Sequence, residues 1–145
     1  MGSMRELAEK MVRGEVPPPP VARLIGFVPK TIEPGFAVFE LQAEERHANP
    51  MGTLHGGILC DLSDAAMGIA FAATLEEGES STTLELKISY LKPVWKARLT
   101  ATARVVKRGR TVGLVEADIT DESGDLVARS GSTCMVLRGG AAAGR

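Results

Sequence analysis

The sequence predicts an α+β domain in which an antiparallel sheet wraps around one long central helix. A single segment, residues 56–75, has the hydrophobic period of a helix and is long enough to cross a domain. The other apolar segments alternate with the period of strands, and the turns that join them are short. Because parallel strands need a crossover of a dozen or more residues, these strands must be antiparallel neighbours.

Length and composition agree with one domain that has a core of small side chains. The chain has 145 residues, a net charge of -1, 44% hydrophobic residues and only 4% aromatic ones. The balanced charge argues against binding to nucleic acid as the main function. Since no apolar stretch reaches the ~18 residues of a membrane span and no signal-peptide pattern is present, we expect a cytoplasmic protein. Cys60 and Cys134 are then expected to be reduced thiols.

The first 20 residues are predicted to form an arm in front of the domain. Residues 1–4 read as a tag remnant followed by a second start, and residues 5–13 have a short helical pattern. Gly14 and the prolines at positions 17–20 end that helix in an extended segment. The domain itself is expected at residues 21–138, and the small-residue tail at residues 139–145 is expected to be disordered.

The domain begins with a predicted hairpin that leads into the long helix. Residues 25–30 and 36–43 have strand character, with a turn at Pro34 and Gly35. A polar loop at residues 44–53 precedes the helix. One apolar helix face follows the i, i+4, i+7, i+8 pattern and consists of Ile58, Leu62, Ala65, Ala66, Ile69 and Ala73.

Strands are predicted after the helix at residues 84–90, 99–105, 112–118 and 126–137. The first of them places one apolar set on a single face, namely Leu84, Leu86, Ile88 and Tyr90, and it ends before Pro93. Turns are expected at residues 107–110 and 121–125. The apolar phase slips between Leu114 and Val115, which indicates a bulge or a strand covered on both faces.

The back of the predicted helix carries polar and small residues. At 100° per residue, one stripe within about 60° lies opposite the apolar face and contains Gly57, Asp61, Asp64 and Gly68. A solvated helix back is the ordinary explanation. However, Met67 and Phe71 flank the stripe, and a solvated face has no reason to carry them. We therefore expect this surface to contact something else.

The start of the helix offers backbone donors. His55, Gly56 and Gly57 stand where free N–H groups and the positive end of the helix dipole can hold an anion or polarise a carbonyl. An ordinary glycine-rich helix entry, with a structural hydrogen bond from His55 and an Asx turn at Asn49, explains the same residues. Gly56 and Asp64 are about 12 Å apart along the axis. One carbonyl can contact both only if they come from two subunits whose helices pack antiparallel.

No common nucleophile, phosphate-loop, dinucleotide or zinc-protease motif occurs, so any catalysis would rest on carboxylates, amides and backbone. Against this background, residues 47–64, HANPMGTLHGGILCDLSD, resemble the signature of hotdog-fold acyl-CoA thioesterases of the PaaI type, the phenylacetate-degradation-related family. The resemblance continues through residues 84–93 and 107–111 and covers most of the chain between Ile25 and Leu137. Its N-x-x-G-x-x-H-G-G-x6-D pattern is specific to this branch of the fold and much less specific to one substrate.

The resemblance implies a hotdog fold, a homodimer with a continuous sheet as the minimal unit, and a homotetramer as the expected assembly. The family's site residues fall on Asp64, Asn49, His55, Gly56, Gly57 and Thr83. Gly56, aided by Gly57, would polarise the thioester carbonyl through its N–H. Asp64 of the neighbouring subunit would act as general base on a water or attack the carbonyl to form an anhydride. Asn49 would orient that water or the carboxylate, and Thr83 would hold the water.

The expected activity is hydrolysis of a small aryl- or medium-chain acyl-CoA, in which coenzyme A is part of the substrate and no cofactor or metal is needed. Lys107, Arg108 and Arg110 are candidates for its phosphates, although a solvated hairpin tip explains them equally well. The alternatives are a non-catalytic acyl-CoA sensor, a hotdog dehydratase and a degenerate binding module. The HGG element with Asp64 two turns later favours hydrolysis, and no helix-turn-helix precedes residue 20.

Overall fold

The computed structural model describes residues 3–145 and contains one six-stranded antiparallel sheet with a long helix against one face. The helices are α1 (Met4–Val12), α2 (Pro20–Ile25) and α3 (Gly56–Ala72). The strands are β1 (Val28–Glu33), β2 (Phe36–Ala43), β3 (Ser80–Tyr90), β4 (Ala97–Arg108), β5 (Val112–Thr120) and β6 (Leu126–Leu137). Their order in the sheet is β1-β2-β4-β5-β6-β3, and every pair is antiparallel. The predicted α+β arrangement is confirmed.

Small strand residues let α3 approach the sheet closely, which explains how a core poor in aromatic residues closes. Helix α3 packs against all six strands. The alanines at the centre of β2 and β4, such as Ala37, Ala101 and Ala103, are fully buried. In β5 a Cβ at Gly113 would overlap the ring of Phe71, so this position must remain glycine for the ring to fit. Dense packing of small groups thus replaces large aromatic side chains.

The buried face of α3 is rotated relative to the face predicted from its periodicity. Met67 and Phe71 are completely buried against the sheet and do not flank an exposed surface, so that part of the prediction is wrong. Ala65 and Ile69, predicted as core, are only half-buried. At 100° per residue the shift is roughly a quarter turn. It arises because α3 is apolar on most of its circumference, and the wrapping of the sheet decides which apolar residues are covered.

The segment before the first hairpin also differs from the prediction. Residues 20–25 form α2, and β1 begins only at Val28, whereas a strand was expected from Ile25. Pro20 occupies the first helical position, where its fixed φ favours a helix. Gly26 ends α2 with a φ of 101°, and the guanidinium of Arg46 bonds to the carbonyls of Leu24 and Ile25. The side chain of Arg46, 22 and 21 residues beyond the carbonyls that it binds, therefore stabilises this helix end.

Bulges in β4 and β3 bear on the predicted strand patterns. The predicted slip near Leu114 and Val115 corresponds to an extra residue, Val106, on the facing strand β4. In β3 the extra residue is Leu84, which is 53% exposed and does not share the half-buried positions of Leu86 and Ile88. The single apolar face predicted for this strand is therefore wrong at Leu84.

The arm and the tail lie at the two ends of the described chain. Helix α1 packs against β1 and α3. Met1 and Gly2 of the expected tag remnant lie outside the described residues. The tail, expected to be disordered, begins with a short 3-10 turn at Gly139–Ala142 in which no residue is buried. Within residues 3–145 no helix is both long and apolar enough to cross a membrane.

Candidate active site

Asp64 lies at the centre of the uncovered side of α3 and contacts β3. The hydroxyl of Thr83 donates to Asp64 Oδ1 over a long distance of 3.5 Å. Asp64 is exposed in the single protomer, yet the protein around its carboxylate removes enough water to raise its pKa. The hydrogen bond from Thr83 opposes this shift without cancelling it. The structure thus brings these two candidate site residues together within one protomer.

Asp61 is close to Asp64 on the same helix. Its pKa is raised mainly by desolvation and additionally by the negative charge of Asp64. A second carboxylate on this side of α3 therefore makes the local field more negative. Among residues 3–145, the Asp61 carboxylate makes no hydrogen bond to a protein group, whereas that of Asp64 accepts one from Thr83.

His55 caps the start of α3 and uses one of the predicted donors. Its Nδ1 accepts the N–H of Gly57 at 2.9 Å, so in the neutral ring Nε2 carries the proton. The backbone N–H of His55 donates to the carbonyl of His47 at 2.9 Å. Among residues 3–145, the N–H of Gly56 donates to no protein acceptor. Gly56 is therefore the backbone donor that remains available to a ligand.

The ring of Tyr90 packs closely against Gly56, and this contact was not predicted from the sequence. A Cβ at Gly56 would lie 2.8 Å from both Cζ and Oη of Tyr90. The phenol oxygen lies 3.4 Å from Sγ of Cys60, and this hydrogen bond together with partial burial raises the pKa of Tyr90 to about 12. A groove of ≈ 440 Å³ runs past Gly56 and Tyr90 toward Val94. Only the packing of β3 on α3 brings these residues together.

His47, to which no role was assigned from the sequence, positions the start of α3. It is buried, its Nδ1 accepts the N–H of Glu44 at 3.0 Å, and its Nε2 lies 2.7 Å from the carbonyl of Ile25. Its own carbonyl receives the N–H of His55. His47 thus connects the end of α2, the loop and the helix start.

Asn49 organises the loop before α3. Its Oδ1 accepts the N–H groups of Met51 and Thr53, and its Nδ2 donates to Thr53 Oγ1 at 2.7 Å. These are the contacts of the Asx turn considered above. Within the described protomer they bind Asn49 to its own loop and not to Asp64, so the structure does not bring these two residues together.

The three candidate phosphate ligands lie at the other end of α3. Arg108 donates to Thr74 Oγ1, pairs with Glu79 at 3.5 Å and stacks over Phe71. Lys107 and Arg110 are exposed. Arg108 is therefore held by internal contacts, and the group is separated from Gly56 by the length of the helix, about 24 Å. Among residues 3–145 no cluster of three or more His, Cys, Asp or Glu is placed to hold a metal.

Comparisons with known proteins assign a family to this site and fold. The model of the thioesterase superfamily matches residues 51–128. Acyl-coenzyme A thioesterase 13 of Homo sapiens is 33% identical over 102 residues, which are 69% of this chain and 72% of the relative. The 1,4-dihydroxy-2-naphthoyl-CoA hydrolase of Listeria monocytogenes is 33% identical over 114 residues, or 79% of this chain and 93% of the relative.

Solved structures agree with this family assignment. The phenylacetic acid degradation-related protein of Ralstonia eutropha has a TM-score of 0.80 at 35% identity and covers 88% of this chain and 98% of its own. The PaaI protein of E. coli has a TM-score of 0.82 at 24% identity, and the match covers 94% of this chain and 98% of the PaaI chain. At this identity it supports the fold alone. The chain is therefore a hotdog-fold thioester hydrolase of the thioesterase superfamily, as the matched residues, the sheet around α3 and these relatives together show.

Proposed function

We propose that this protein hydrolyses the thioester of a small aryl- or medium-chain acyl-CoA. The observation that carries the proposal is that α3 bears both an unengaged N–H at Gly56 and a carboxylate of raised pKa at Asp64. The human and Listeria relatives are named as enzymes that act on coenzyme A thioesters, which supports the same carrier here. The exposed Lys107 and Arg110 stay candidates for its phosphates.

In the proposed reaction the N–H of Gly56 donates a hydrogen bond to the carbonyl oxygen, on which negative charge develops, an effect typically worth about 3 kcal/mol. Asp64 removes a proton from a water that adds to the carbonyl carbon, and the proton then passes to the departing thiolate. In the other route Asp64 itself attacks the carbonyl carbon, the C–S bond breaks and the thiolate leaves. Water then hydrolyses the anhydride to the free acid and the Asp64 carboxylate, and a proton from that water passes to the thiolate. A raised pKa brings the carboxylate nearer to working pH, which improves a general base. Thr83 and Asn49 would hold the water or the carboxylate.

Both groups can act on one carbonyl only across two subunits, and the sheet offers an edge for this purpose. Strand β3 is a long edge strand that lacks proline, and Tyr90 and Leu84 on it are exposed. The other edge, β1, is short, contains Pro29 and a bulge, and is covered by α1. We therefore expect a homodimer through β3 with a continuous sheet, in which each site combines Gly56 of one copy with Asp64 of the other, and a homotetramer of such dimers.

The test offers acyl-CoA thioesters of several chain lengths to the purified protein and follows thiol release. Asp64→Asn should lower kcat by at least about a hundredfold, as expected for a general base. Asp61→Asn is the matched control, because it removes an equal charge from the same helix and should retain activity within about tenfold. Equal turnover by wild type and Asp64→Asn would refute the role of Asp64. Tight acyl-CoA binding without thiol release by the wild type would support the sensor instead.

Light scattering tests the interface. The proposal requires a dimer or a larger assembly at concentrations where the protein is active. A fully active monomer would contradict it, because one protomer cannot place Gly56 and Asp64 on the same carbonyl.

A further inference from the structure

An apolar cleft of ≈ 710 Å³ lies beneath the N-terminal arm, on the side of α3 that faces away from β3. Its outer wall is the arm from Met11 to Val21, and Phe27 and Phe39 lie at its floor. Ala65 and Ile69 of α3 form its inner side. These are the two residues that the rotation of the helix leaves half-covered. The cleft is therefore a direct result of how α3 is seated on the sheet.

The composition of the cleft selects an apolar ligand. Among residues 3–145, Glu15 is the only charged residue along the cleft, and the carboxylate of Glu15 is paired with Arg13 at 2.6 Å. Since no Lys or Arg of this described part of the chain lines the cleft, it offers the phosphates of coenzyme A no cationic partner. Val21 and Val28 at its rim are 48% and 43% exposed, so the protomer leaves apolar surface uncovered. The volume lies in the range of about 300–1,000 Å³ that is usual for ligand sites.

The residues of α3 that line the cleft are close in the chain to the candidate active site. Asp64 precedes Ala65 directly, and the axial rise from Asp64 to Ile69 is about 7.5 Å. Gly68 lies between them on the helix surface, and a Cβ added at Gly68 would meet no atom within 4 Å. No side chain of the protomer therefore stands at Gly68 between the carboxylate and the cleft.

We infer that the cleft binds the hydrocarbon chain of the acyl group whose carbonyl lies beside Asp64. The inference rests on the proposed function and narrows it, since a compact aryl group near Asp64 does not reach Ile69 whereas an extended aliphatic chain does. The substrate class is thus a medium- or long-chain aliphatic acyl thioester. The arm, and not only the helix pair of the dimer, sets the chain-length preference.

Two substitutions on α2 test the inference with a matched control. Val21→Trp fills the cleft, whereas Leu24→Trp adds the same side chain on the same short helix at a position that is 72% exposed and does not line the cleft. In an Asp64→Asn background, titration calorimetry compares dodecanoyl-CoA with acetyl-CoA. We expect dodecanoyl-CoA to bind at least about tenfold more tightly because of the added apolar burial. Val21→Trp should remove most of this advantage, and Leu24→Trp should keep it.

A second measurement does not depend on a substitution. Dodecanoyl-CoA with a photoreactive diazirine at its chain end is irradiated on the unmodified protein, and the labelled peptide is identified by mass spectrometry. Labels within residues 11–29 or at Ala65 and Ile69 support the inference. Labels confined to other segments, equal affinity for the two thioesters, or indifference to Val21→Trp would overturn it. Hydrolysis of acetyl-CoA without a chain-length effect would overturn the inference alone, whereas chain binding without any thiol release would overturn the proposed hydrolysis alone.

Discussion

The hydrogen bond from the Gly57 N–H to His55 Nδ1 allows an experiment that distinguishes two roles for His55, a helix cap and a group that transfers a proton. At 2.9 Å it satisfies one of the orphan donors of α3, so His55→Ala should remove a helix cap. Such a loss costs about 1 kcal/mol. Because His55 is exposed, water can replace part of the bond and the cost should lie at or below that value. For a domain of this size the melting temperature should then fall by about 2–4 °C.

The matched variant is His55→Asn, since asparagine is a strong N-cap residue that has no imidazole. If His55 acts only as a cap, His55→Asn should restore the melting temperature, and both variants should keep kcat within about tenfold of wild type. If His55 transfers a proton, both variants should instead lose about 10²–10⁴-fold in kcat. The assay pairs thermal unfolding at one fixed protein concentration with thiol release on one substrate. A stable but inactive His55→Asn protein would refute the capping interpretation.

Two further predictions concern Asp64 and Gly113. Because the folded pKa of Asp64 is raised, its contribution to stability is complete below the unfolded pKa and is lost as pH rises through the folded pKa. Asp64→Asn should therefore raise the melting temperature at neutral pH by less than about 4 °C, as thermal unfolding across pH would show. The same variant should abolish the fall in kcat on the acid side of the pH–rate profile. Gly113→Ala should lower the free energy of unfolding by about 1–3 kcal/mol in denaturant titrations, because its Cβ would overlap Phe71 and lie 2.9 Å from the Lys107 carbonyl. Adding Phe71→Leu to the same chain should recover part of this lost stability.

The elements that could be predicted from the sequence are those whose period is local. The start of α3 at Gly56 and the strands β2 and β6 lie where their patterns place them. The orientation of α3 could not be predicted in the same way, because a helix that is apolar on most of its surface has no unique buried stripe. The sheet that wraps it buries Met67 and leaves Ile69 half-covered. Helix α2 was missed because its end depends on Arg46, which is distant in the sequence.

The candidate site likewise contains residues that a local pattern indicates and residues that only contacts between distant segments bring into place. Asp64 and the glycines of the helix start lie in one contiguous motif, and helix spacing together with the family resemblance was enough to single them out as candidates. Tyr90 could not be found in this way, because its contact with Gly56 exists only when the end of β3 packs beside the start of α3. His47 was missed for a similar reason, since both partners of its ring are backbone atoms that any sequence would supply.

The seating of α3 also explains why the functional groups gather where they do. Its covered arc is centred on residues such as Ala66 and Ala70, and the uncovered arc places Asp64 between the free edge β3 on one side and the arm cleft on the other. A side chain at Gly113 would overlap the ring of Phe71, which packs beneath α3. Close packing beneath α3 therefore leaves its outer side uncovered in the protomer, where the proposed second subunit and acyl chain would bind. The light core and the candidate site are consequences of one arrangement.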